Sequence, residues 1–111
     1  MDINSLLKEH KIAICVEFDV TGKKYTLYKN NMAGLSSYYL FNELIIYSDY
    51  SYLESIKDEE LLPKLWAQGD IHCCIFPVKS GNVVCLFFES DMNVSEFYTE
   101  CQKYMELFQQ I

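Results

Sequence analysis

The chain has 111 residues, 50% of them hydrophobic and 15% aromatic, with sixteen acidic and nine basic side chains for a net charge of −7. That length makes one domain, 1–111, with a single core, and so much apolar content excludes a disordered chain. The charge excludes a nucleic-acid binder, whose affinity comes from cations neutralising phosphates, and since every basic residue is lysine the arginine fork that grips phosphate or carboxylate is missing too.

The N-terminus MDINSLLKEH lacks the basic start and apolar core of a secretion signal, and no apolar run spans a bilayer, so a cytoplasmic protein is expected. Residues Asp2 to His10 read as a short helix, because Ile3, Leu6, Leu7 and His10 recur at spacings of three and four. Lys11 to Asp19 follows as a strand, with Ile12, Ile14, Val16 and Phe18 on one face and Ala13, Cys15 and Glu17 on the other. Asp19 to Lys23 supplies a turn in which Gly22 is expected to take positive φ, and Lys24 to Lys29 returns as a second strand.

Beyond Asn30-Asn31, a long helix is expected from Met32 to Lys57. Its apolar residues fall on two stripes: Leu35, Tyr39 and Ile46 on one, Leu40, Leu44 and Tyr47 on the other. A domain of this size covers one stripe with its own sheet, and a second copy of the chain is the simplest cover for the other. Asp58-Glu59-Glu60 and Pro63 stop the helix, and Leu65 to Gln68 forms a short third strand.

Asp70 to Glu89 is the centre of the chain. Ile71 to Phe76 and Val83 to Phe88 alternate around Lys79-Ser80-Gly81-Asn82, and both of their faces are apolar, so this hairpin must lie in a sheet covered above and below. Pro77 suggests an interruption or an exposed edge. In the last segment Asn93 and Glu96 make a capping box, and Val94, Phe97, Tyr98, Cys101, Tyr104, Met105 and Phe108 keep helical period.

Chemistry-bearing residues are few. Cys15, Cys73, Cys74, Cys85 and Cys101 all fall on expected strands or helices and read as buried thiols; Cys73 and Cys74, adjacent on a strand, face apart and cannot share a metal or a disulfide. No metal-ligand spacing occurs, so neither metal nor cofactor is expected. His72 beside Cys73 raises a Cys-His nucleophile pair, but strand neighbours diverge, and a core histidine is the simpler reading. Glu59-Glu60 lies in a solvated turn where nothing shifts a carboxyl pKa. No catalytic residue is assigned.

The resulting order is α-β-β-α-β-β-β-α: an α+β fold with a five-stranded antiparallel sheet between one long helix and two terminal helices. Leu6-Leu7, the strand Ala13 to Asp19, Gly22-Lys23, Tyr28-Lys29, Trp66-Ala67 ahead of Gly69-Asp70, and Val84 to Glu89 leading to Phe97 resemble the roadblock/LC7 family, one of the profilin-like and longin-like small folds. Within it, the chain is most similar to an uncharacterised roadblock-like family of archaea and sulfur-oxidising bacteria. The resemblance implies a non-enzymatic protein that pairs through the long helix and the third strand, as a homodimer or with a related chain, and serves as a scaffold or regulator for a small GTPase, a motor or a larger complex. Carried onto this sequence, the pairing surface is Leu35, Tyr38, Tyr39, Asn42, Ile45, Ile46 and Trp66. Two other readings compete: an accessory subunit of a redox or sulfur-handling assembly of the heterodisulfide-reductase kind, suggested by the narrower resemblance and the thiols, and a small-ligand sensor domain.

Overall fold

The structure, a computed structural model, describes residues 2–19, 21–29, 64–68, 70–89 and 91–109. The elements are α1 (Ile3–Glu9), β1 (Ile14–Asp19), β2 (Lys24–Lys29), β3 (Lys64–Gln68), β4 (Ile71–Pro77), β5 (Val83–Glu89) and α2 (Val94–Phe108). The long helix expected over 32–57 lies outside the described residues. All five strands join one antiparallel sheet in the order β2-β1-β5-β4-β3, which places the hairpin β4-β5 inside it, as its two apolar faces require.

Period-two alternation sorts the strand residues into two clusters. Cys15, Cys74, Phe76, Val84, Leu86 and Phe88 lie on the face covered by both helices, packed with Leu7 of α1 and with Phe97, Cys101, Tyr104 and Phe108 of α2. Spacings of four, three and four along α2 make those last residues a single stripe, and burying each aromatic in it contributes about 1.5–3 kcal/mol. On the opposite face Ile14, Val16, Phe18, Cys73, Ile75, Val83, Cys85 and Phe87 are fully buried. That second cluster contains no residue of either described helix.

The first helix begins where its chemistry dictates: the Asp2 carboxylate caps it by accepting from the Asn4 amide at 3.1 Å and the Ser5 hydroxyl at 2.7 Å. Its end differs from expectation. Lys11 adopts φ 56°, the Lys11 amide donates to the Lys8 carbonyl and the Ile12 amide to the Leu7 carbonyl at 2.9 Å, which together make a Schellman closure. The strand therefore starts at Ile14 rather than Lys11, and Ile12 packs with Leu7 on the helical side instead of sharing a face with Ile14.

The β1-β2 turn also departs from expectation. Positive φ falls on Lys23 (52°), not on Gly22. At Gly22 the backbone amide donates to Asp19 Oδ1 at 3.1 Å, and a Cβ there would lie 3.0 Å from Asp19 Oδ2, close enough that the carboxylate would have to shift by a few tenths of an ångström. In the β4-β5 turn glycine does take the left-handed region, with Gly81 at φ 93° donating to the Val78 carbonyl at 3.0 Å. Asn82 Nδ2 then donates to Glu17 Oε2 at 2.8 Å, fastening that tip to β1. Pro77 is the last residue of β4, where the strand is interrupted as expected; it pairs with Val83, and among the described residues the last β3 pair is Lys64 with Ile75, so no described strand lies on its other side.

Asn93 and Glu96 form the expected box, with the Glu96 amide donating to Asn93 Oδ1 at 2.9 Å and the Asn93 amide to Glu96 Oε1 at 3.3 Å. Asn93→Ala is expected to cost about 1 kcal/mol. Thermal unfolding followed by circular dichroism should show a midpoint lower by roughly 5 °C with the fold unchanged.

Candidate functional site

The thiols of the chain all point inward. All five cysteines are free and buried. Burial pushes the thiols of Cys15, Cys73, Cys74 and Cys85 well up, with neighbouring thiols adding to the effect for the last three and Glu17 adding to it for Cys15, so these sulfurs stay protonated and unreactive at neutral pH. Cys73 and Cys74 do diverge, Cys73 into the cluster on the face away from α1 and α2 and Cys74 into the cluster that α1 and α2 cover. Iodoacetamide at neutral pH is expected to label none of the five within minutes in the folded protein and all five in urea, as read by intact mass.

His72 forms no pair with Cys73, which lies on the other side of the sheet. Its Nδ1 is 3.3 Å from the Asp70 carbonyl oxygen, a contact in which only the imidazole can donate. The ring is stacked on Phe88 with centroids 6.0 Å apart and meets the edge of Phe97 at 4.4 Å. His10 meets Tyr104 at 5.6 Å, and Tyr104 meets Phe88 at 5.7 Å, which extends this aromatic seam from α1 across α2 to β5. Burial first and the Glu100 carboxylate second push the Tyr104 hydroxyl up, so it remains a neutral hydrogen-bonding group. Both histidines serve packing in this arrangement.

Among the described residues no group of three histidine, cysteine, aspartate or glutamate side chains is placed to hold a metal ion. A depression of about 320 Å³ beside the start of α2 is lined by Met92, Ser95, Glu96, Thr99 and Glu100. It is broad and open, without the enclosing apolar walls that retain a small ligand.

What faces outward is the rim of the sheet. β2 and β3 are its outer strands, and β2 is exposed along most of its length. Trp66 of β3 is 41% exposed; it pairs in register with Cys73, which puts it on the face away from α1 and α2. Of the residues assigned to the pairing surface, Trp66 is described, and Leu35, Tyr38, Tyr39, Asn42, Ile45 and Ile46 lie outside the described residues. No described helix is long and apolar enough to cross a membrane.

That Cys74 and Cys101 share one cluster is a feature of this interior that sequence reasoning missed. Both residues belong to the helix-side cluster. The signal was present: Cys101 lies on the apolar stripe of α2, and Cys74 has the parity of Phe76 on β4.

No family model matches the chain, and no curated protein matches it by sequence. Among solved structures it is similar to MglB of Myxococcus xanthus, at 11% identity and a TM-score of 0.49, over 97% of this chain and 92% of that chain.

Proposed function

We propose that this protein is a non-catalytic scaffold or regulator of the roadblock/LC7 kind, a cytoplasmic homodimer or a pair with a related chain, acting through protein contacts on a small GTPase, a motor or a larger complex. The observation that carries this reading is the contrast between interior and rim. Thiols and histidines are committed to packing, whereas a tryptophan stands on the outermost strand with two-fifths of its surface exposed. Trp66 belongs to the residue class that most often anchors protein interfaces. The remaining members of the proposed pairing surface are Leu35, Tyr38, Tyr39, Asn42, Ile45 and Ile46, which continue it onto the expected long helix.

Light scattering coupled to size exclusion should give twice the monomer mass at micromolar concentration. Ile46→Asp or Tyr39→Asp should convert the protein to monomer with its far-ultraviolet spectrum retained, because an unpaired carboxylate in a dimer core costs several kcal/mol. Trp66→Ala should weaken pairing by about 2 kcal/mol, a factor of roughly thirty in Kd. A wild-type protein that stays monomeric under these conditions removes the reading.

A further inference from the structure

β2 is the outer strand at the end of the sheet opposite β3, so covering Trp66 leaves it accessible. Its register with β1 runs unbroken from the pair Ile14 and Lys29 to the pair Asp19 and Lys24. Sheet edges are commonly blunted by a bulge or a proline, and β2 has neither. Its middle, Tyr25-Thr26-Leu27-Tyr28, is uncharged, and Tyr25, Thr26 and Tyr28 are good strand formers. Tyr25 and Thr26 are exposed; Leu27 is half-buried against the cluster away from the helices and Tyr28 against the helix-side one, so both flanks of this edge are apolar. Lysine closes each end. Lys24 and Lys29 are exposed, with exposed Lys23 in the adjoining turn, while the nearest carboxylates are engaged, Asp19 by the Gly22 amide at 3.1 Å and Glu17 by Asn82 Nδ2 at 2.8 Å. Residues 1–29 hold five lysines and four carboxylates, whereas 30–111 hold four lysines and twelve carboxylates, so the positive charge of this acidic chain is concentrated around the β1-β2 hairpin. A second copy is a poor occupant. Paired antiparallel about its centre, β2 sets Lys24 against Lys29 of the other copy, and like charges directly opposite destabilise a ladder.

We propose that β2 receives an extended acidic peptide of another protein as a sixth strand, with carboxylates five residues apart meeting Lys24 and Lys29. Between those carboxylates the peptide is uncharged and rich in strand formers, because it lies alongside Tyr25, Thr26, Leu27 and Tyr28. Main-chain hydrogen bonds supply the affinity. The two lysines supply the choice, attracting an acidic strand and repelling both a basic one and a second β2.

The test titrates the full chain into labelled, end-blocked peptides of about eight residues, alternating threonine and valine except for glutamate at the second and seventh positions, and reads fluorescence anisotropy. The glutamate peptide should bind with Kd below about 100 μM at low salt, and a matched peptide with lysine at both positions at least about tenfold more weakly. The double variant Lys24→Glu, Lys29→Glu should reverse that preference with its far-ultraviolet spectrum unchanged. Methylating the amide nitrogens along one edge of the glutamate peptide should abolish binding, and methylating those along the other should spare it, since a single edge faces β2. That arm needs no variant of the protein. Failure of the glutamate peptide to bind, equal binding of the lysine peptide, or no reversal in the double variant overturns the inference. Indifference to both methylation patterns does so too, because it shows ion exchange without an added strand. The result is independent of pairing between copies, since β2 and Trp66 lie on outer strands at opposite ends of the sheet.

Discussion

Ile75→Asp should leave no cooperative unfolding transition at neutral pH. Ile75 is fully buried in β4, paired with Cys85 of β5 on one side and Lys64 of β3 on the other, so the strand cannot swing an added carboxylate out to water. Burying an unpaired carboxylate costs several kcal/mol, against a net stability of about 5–15 kcal/mol for a domain of this kind. The pH dependence has a definite sign. Burial raises the folded-state pKa of the new carboxyl above its unfolded value, so its penalty grows as pH rises past the unfolded value near 4 and shrinks below it. Whatever structure survives should be greatest on the acid side, as measured by near-ultraviolet circular dichroism across pH. A wild-type transition at pH 7 would mean that this side of the sheet is open to water.

Phe76→Ala, one residue along and on the opposite face, should cost about 3–5 kcal/mol. Phe76 is fully buried under α2 and meets the Phe108 ring edge to face, with centroids 6.3 Å apart at 63°. Its loss opens a cavity at the point where the helix end is held, and the midpoint of thermal unfolding should fall on the order of 15 °C. Phe108→Ala should cost a similar amount, and the double variant less than the sum, because the second truncation enlarges a gap already made. Strict additivity in denaturant melts would show that the two rings do not support each other.

The parts of this architecture visible beforehand are those in which one physical pattern dominates. Alternation with both faces apolar puts β4 and β5 inside the sheet, and Asn93 with Glu96 marks the start of α2. Local backbone chemistry was less visible. Lys11 ends α1 in the left-handed region although glycine or asparagine is the usual sign of such a closure, so the strand looked three residues longer than it is. At Gly22 composition signalled a turn correctly, but the positive φ falls one residue later, on Lys23. Proline at 77 marks the end of β4, beyond the last described pair with β3. The proposed pairing surface is a different case: its expected apolar surplus falls on 32–57, and of its members Trp66 alone is described.

Strand β1 lies between a neighbour in sequence, β2, and a partner far downstream, β5, with Ile14 opposite Phe87 and Glu17 bonded to Asn82. During synthesis the N-terminal hairpin therefore emerges from the ribosome with one long edge unsatisfied, and it waits for most of the polypeptide before that edge can close. A nascent chain halted before Val83 has no β5 to complete the sheet, so native order arises only once the final third has been translated.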